Sequence, residues 1–176
     1  GYGDWPSLRA AALETVRAGD PAAAGPQPVE QVLYVTARDH VEQTTVQVLI
    51  DHPKWLHAVA KASFEFDDTD ARWQIAVALG ASNNKAEAEQ LLLKLNADAD
   101  EYVSRMALLS LANIGSAQTE ALSVKAWKTK DQYQRIAALW AVWKLKSPHL
   151  PKFIEAAKKD GREHLMNNVA KVEAAG

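Results

Sequence analysis

At 176 residues, 48% hydrophobic and 24% charged, the chain has the size and make-up of one globular domain. Its net charge is −2, from 20 basic and 22 acidic residues. That balance argues against nucleic acid as the default partner, because phosphate contacts need a concentrated basic surface. The absence of cysteine excludes disulfides, thiol catalysis and thiolate metal sites.

Residues 1–28 read as a separate opening segment. Ser7 can cap a helix that starts at Leu8, and Leu8, Ala11, Ala12, Leu13 and Val16 fall at helical spacing up to Gly19. The stretch from Gly19 to Pro28, GDPAAAGPQP, reads as a Pro/Ala/Gly linker or long turn. The first helix suits a terminal repeat helix better than a detached arm.

Residues 29–176 read as one run of helical hairpins. Val29 to Ile50 suits two helices, although its many β-branched residues also suit strand. Asp51-His52-Pro53 opens a helix with proline in the first turn, where its missing N–H costs nothing. Asp67 to Asp70 forms an acidic turn, with Asp70 as the cap of the helix that ends at Gly80. Lys85 to Asn96 is amphipathic, with Ala88, Leu91, Leu92 and Leu95 on one face. Asp98 and Asp100 precede a helix over Val103 to Ile114, and Ser116 caps the next, Ala117 to Lys128. Asp131 opens Tyr133 to Lys146. Pro151 to Lys159 and Arg162 to Val172 close the series, with Glu173 to Gly176 expected to fray. The hairpins are then 29–50, 53–80, 85–115, 117–146 and 149–172.

One pattern recurs: an acidic residue, an Arg, an Ala-rich helix and often a Gly. It is carried by Asp70/Arg72, Asp100/Arg105, Asp131/Arg135 and Asp160/Arg162, with Ala76, Ala107, Ala112, Ala137, Ala141, Gly80 and Gly115. A period of about 30 residues is the signature of a stacked solenoid. The unit resembles the HEAT repeat, in particular its short bacterial, phycobilisome-lyase-like form. Two departures stand out: Asp100 lies five residues before Arg105, and the helix after Arg135 lacks a terminal Gly. The resemblance implies an all-α fold, a right-handed α-α superhelix of about five hairpins. It also implies that the Asp–Arg pairs order the turns and form a ladder along the stack, with Arg105 as one rung.

No catalytic constellation is visible. There is no G-x-S-x-G motif, no Gly-rich phosphate loop, and no two of the five histidines stand at i, i+3 or i, i+4. Asp67, Asp68 and Asp70 lack the Gly and the terminal Glu of a calcium loop and read as helix caps. Catalytic, cofactor and metal sites are therefore all read as none. No apolar run is long enough to span a membrane. The chain begins at Gly1 rather than Met, and the composition suits the cytoplasm, which is favoured, or an exported compartment.

The six tryptophans are the most informative oddity. Counted from the motif Arg, Trp73 stands at +1, Trp140 at +5 and Trp143 at +8, one side of a helix. The matching positions in the neighbouring helices are Met106, Ser110, Asn113 and Asn167. In HEAT repeats the second helix of each hairpin lines the concave surface, so the resemblance implies a groove built from Trp73, Met106, Ser110, Asn113, Trp140, Trp143 and Asn167. At sequence level these rings suit core space between hairpins as well as a groove; Trp55 and Trp127 read as core. The reading is a non-enzymatic module for protein–protein interaction, its partner a protein or peptide. The alternatives are a nucleic-acid-binding protein like the alkylpurine DNA glycosylases, for which only Lys125, Lys128, Lys130, Lys144 and Lys146 speak, or a helical-repeat immunity or inhibitor protein.

Overall fold

A computed structural model describes residues 4–176; the first three residues of the 1–28 segment lie outside it. Among the described residues all regular structure is helical. The helices are α1 (Trp5–Ala18), α2 (Pro21–Ala24), α3 (Pro26–Arg38), α4 (Thr44–Asp51), α5 (Pro53–Ala62), α6 (Thr69–Gly80), α7 (Lys85–Asn96), α8 (Glu101–Ile114), α9 (Thr119–Lys128), α10 (Gln132–Lys144), α11 (Leu150–Asp160) and α12 (Glu163–Ala175). The β-branched run at 29–50 is helical because both its helices bury those residues in a shared core. Val29, Val32, Val35, Val46 and Val48 are all buried.

The five expected hairpins are present as α3–α4, α5–α6, α7–α8, α9–α10 and α11–α12, with α1 preceding them. The second helices form a continuous stack, α4 on α6, α6 on α8, α8 on α10 and α10 on α12. The most extensive contact in the molecule is α6 against α8, whereas α7, α9 and α11 touch one another only sparsely. The stack is a helical solenoid.

Its core runs in two stretches that meet at α8. Val103, Ala107, Leu111 and Ile114 belong to the stretch that extends back to α1, and Leu108 and Ala112 to the one that extends on to α12. Each buried Leu or Val contributes about 1.5–3 kcal/mol. A helix that is apolar on two opposite sides must be covered on both, which only a neighbour on each side can do.

Several local details differ from the sequence expectation. Asp4, not Ser7, caps α1, accepting the Ser7 N–H, and Pro6 sits in the first turn. Gly19 to Pro28 is not an extended linker: it carries α2 and the first turn of α3, and the Trp55 indole N–H donates to the Gly19 carbonyl at 2.8 Å. Asp68 rather than Asp70 caps α6. The final helix continues through Ala175 instead of fraying after Val172.

The Asp–Arg ladder exists, and Arg162 pairs with Asp160 as the spacing suggests, but Arg9, Arg38, Arg72 and Arg135 each reach the acidic residue of the next turn along the stack. Arg9 pairs with Asp39 at 3.3 Å, Arg38 with Asp68 at 3.5 Å and Arg72 with Asp98 at 2.7 Å, and Arg135 pairs with Asp160. Arg72 and Arg135 also donate to the carbonyls of Phe66 and Trp127, so one guanidinium closes its own turn and grips the next. Arg162 adds a bidentate contact to Asp160 and donates to the Lys130 carbonyl. The Asp160 carboxyl is held below its usual range, at about 2, chiefly by the hydrogen bond from Arg162 and further by Arg135, against the opposing effect of burial.

Arg105 is not a rung. Counted from the cap residues Asp68, Asp100 and Asp131, the rung is the fourth position on: Arg72, Ser104 and Arg135. Ser104 closes the turn with Asn96 instead. Its hydroxyl donates to the Asn96 carbonyl at 2.8 Å, and the Asn96 amide donates back to the Ser104 carbonyl at 3.0 Å.

A second row of contacts ties the opposite edge. The Ser116 hydroxyl donates to Glu89 and accepts from the Gln118 N–H; the Ser147 hydroxyl donates to Glu120 and accepts from the His149 N–H. Each serine thereby joins the start of one hairpin to the first helix of the hairpin before it.

Replacing a half-buried, doubly bonded rung should cost more than replacing the displaced arginine. Arg72→Ala and Arg135→Ala should each lower the unfolding free energy by about 1–3 kcal/mol, and Arg105→Ala by no more than about 0.5 kcal/mol. Urea denaturation reads both, and an equal loss in all three variants would contradict the assignment of rungs.

Because the folded state lowers the Asp160 pKa from 3.8 to about 2, its stabilising contribution is complete above the unfolded value and disappears as pH falls through the folded one. The stability gap between the wild type and Asp160→Asn should be constant above about pH 4 and close towards about pH 2. A gap that does not change across that window in urea titrations would contradict the pairing.

Candidate interaction surface

The caps fix which side chains the second helices present together. Two positions after each cap residue stand Asp70, Tyr102, Tyr133 and His164; five positions after stand Trp73, Arg105, Ile136 and Asn167. Positions two and five lie on one side of a helix, because three residues make nearly a full turn. Stacking of the second helices sets these positions side by side.

The result is a stripe across four helices. Trp73 meets Tyr102 edge-on with ring centroids 5.4 Å apart. The Arg105 guanidinium lies 5.1 Å from the Tyr102 ring and 5.1 Å from the Tyr133 ring. Tyr133 stacks on His164 at 6.2 Å. The Trp73 indole N–H is satisfied by Asp70 at 3.1 Å. Tyr102 and Tyr133 are 41% and 48% exposed, a rare state for large apolar rings in this molecule. Sequence reasoning found Trp73 here but missed Tyr102, Arg105, Tyr133 and His164. Counting from the helix caps rather than from the arginines would have found them.

The expected groove residues fall in several places. Trp73 and Met106 are half-buried, packed against the first stretch of core. Trp140 and Trp143 are half-buried against the second and meet edge-on at 5.3 Å. Trp140 donates its indole N–H to Asn168 at 2.8 Å, so the asparagine that meets it is Asn168 and not the exposed Asn167. Trp143 lies at the other end of α10, in a groove of about 790 Å³ with Lys144, Lys146, Pro148, Leu150 and Pro151. Asn113 is exposed near the end of α8. Trp127, read as core, is half-buried and stacks on Phe153 at 4.3 Å, and Trp55 is fully buried.

Ser110 is a correction. It is 3% exposed and faces α6, where a Cβ on Gly80 would stand 2.6 Å from its hydroxyl oxygen. Gly80 and Ser110 are thus the close-approach point of the two helices, and Ser110 presents nothing to a partner. The difference is one of phase. Arg105 sits one residue past the rung, so positions counted from it are shifted by one on α8. With the cap as marker, Leu109 and not Ser110 matches Trp140.

The lysines named for a nucleic-acid surface do not gather. Lys128 and Lys130 stand at one end of the α9–α10 hairpin, and Lys144 and Lys146 at the other. The 13 residues of α10 put the two pairs about 20 Å apart. A cleft of about 960 Å³ lies elsewhere, between α2, α5 and the start of α7. It carries both charges, with Lys54 paired to Asp20 at 2.7 Å and His57 3.5 Å from Glu87.

Residues 88–170 match the family model for HEAT repeats. The matched stretch, the last three hairpins from within α7 onwards, thus carries HEAT repeats. The earlier hairpins continue the same stack. HEAT repeats generally serve as scaffolds for protein interaction. No curated protein and no solved structure matches the chain.

Proposed function

We propose that the chain is a non-enzymatic module that binds a protein or peptide along the face of its second helices. The observation that carries this reading is the stripe Trp73–Tyr102–Arg105–Tyr133–His164, which crosses four hairpins and leaves two tyrosine residues partly exposed. Burying such rings on binding recovers apolar area at little entropy cost, and Trp, Tyr and Arg are the side chains in which interface energy concentrates. The close packing of the second helices, beside the sparse contacts of α7, α9 and α11, is what the inner side of a curved stack requires, so this face is read as the concave one. Met106, Asn113, Trp140, Trp143 and Asn167 extend the proposed contact surface beyond the stripe; Ser110 is left out of it.

Differential capture tests the reading. Proteins retained by the wild-type chain should be lost from Tyr102→Ala/Tyr133→Ala, and each retained protein should be competed off by excess free wild-type chain. Both residues are exposed, so the double variant should keep the wild-type melting temperature to within a few degrees. Equal retention by the folded double variant would place the interface elsewhere.

A further inference from the structure

Five of the seven arginines spend their guanidinium on a carboxylate: Arg9, Arg38, Arg72, Arg135 and Arg162. Arg17, exposed on α1, and Arg105 do not. Among the described residues, Arg105 makes one hydrogen bond, from Nε to the Glu101 carbonyl at 3.3 Å, and no carboxylate lies within 4 Å of it. The repeat rule would place an arginine at 104. There a serine does the work of closing the turn with Asn96, and the arginine stands one position further on, about 100° round the helix. That step carries it out of the ladder and into the stripe, between two exposed tyrosine rings at 5.1 Å each. Local departures from a repeat rule, where the fold has been repaired by other means, are where functional side chains are found.

We infer that Arg105 is the anchor for a carboxylate of an acidic peptide segment. The inference rests on the reading of the stripe as the binding face. The two rings hold the guanidinium by cation–π attraction and limit its rotamers, so little freedom remains to be lost on binding. With Nε turned to its own helix, the two terminal nitrogens remain as a planar fork that matches a carboxylate with two parallel hydrogen bonds. The nearby Asp100 does not take this place. It accepts the N–H groups of Tyr102 and Val103 as the cap of α8. Glu101, four residues before Arg105, is exposed and forms no ion pair with it. The aromatic flanks select a segment with apolar residues beside the Asp or Glu.

Selection from a random-peptide phage library, carried out in parallel on the wild type and on Arg105→Ala, tests this. Peptides taken by the wild type should be enriched in Asp and Glu. A synthetic copy of the strongest should bind Arg105→Ala, by fluorescence anisotropy, about tenfold or more weakly than the wild type, and weaken as salt rises. Its Asn/Gln counterpart should bind both proteins alike. Arg105→Lys should recover only part of the affinity, since an ammonium lacks the fork. If selected peptides show no acidic preference, yet lose binding in Tyr102→Ala/Tyr133→Ala, the stripe is the binding face and the role of Arg105 is refuted. If no peptide is selected, or binding survives the tyrosine double variant, the reading of the stripe falls and the inference with it. A labelled single-stranded oligonucleotide is the competing anion: tighter binding than the acidic peptide, lost in Arg105→Ala, would overturn the peptide assignment in favour of phosphate.

Discussion

Small residues along the seam between successive second helices let those helices approach closely, and the other features of the molecule follow from that approach. Ala76 and Gly80 on α6, Ala107 and Ser110 on α8, and Ala137, Ala138 and Ala141 on α10 line or adjoin the seam, and all but Gly80 are buried. At Gly80 the fit leaves no room for a Cβ without moving Ser110. Close helices bring the turns along one edge of the stack side by side. An arginine on one turn then reaches the carboxylate of the next, 25 to 30 residues away in sequence. The same alignment places aromatic side chains of different hairpins within ring contact. Apolar burial along the seam supplies the free energy; the ion pairs fix spacing and register, in keeping with the modest worth of partly exposed pairs.

The two edges of the stack are held by different chemistry. On the edge where first helix turns into second, guanidinium groups join carboxylates and turn carbonyls. On the opposite edge, serines at 116 and 147 join a preceding glutamate to the N–H of the following turn. Both devices link neighbours only. This is the pattern expected of a quasi-one-dimensional structure, in which each hairpin depends on the one beside it and on no distant element. Such an architecture tolerates a missing rung, because the loss stays local. The Ser104–Asn96 closure illustrates this: it orders its own turn without reaching the next, and the arginine beside it is released from structural duty.

The fold was legible because its signal is repeated. Five hairpins, the Ala-rich second helices and even the bounds of α7 followed from spacing alone. Gly19 to Pro28 was misread because Pro and Gly look like a linker, yet Pro21 and Pro26 both sit in first helical turns, where proline is favoured. The surface was only partly legible. Trp73 stands in the stripe, but Ser110 was assigned to it from a one-residue error of phase. Arg–acid spacing in sequence does not say which acid the arginine will meet, since the partner lies on the next unit. Tyr102, Tyr133 and His164 carried no motif; their common distance from the helix caps was the available signal, and it becomes visible only once Asp68, Asp100 and Asp131 are known to be the caps.

The division of the arginines of the second helices into structural rungs and one released anchor is the claim on which both the fold and the surface depend. Water exchange of the arginine Nε–H protons, followed by NMR in nitrogen-labelled protein, measures it directly. Arg72 and Arg135 should give protected Nε–H signals, since each donates from Nε within a half-buried network. Arg105 should exchange rapidly, its single contact being long and exposed. Protection of Arg105 equal to that of Arg72 would contradict the account, for it would make Arg105 a rung like the others.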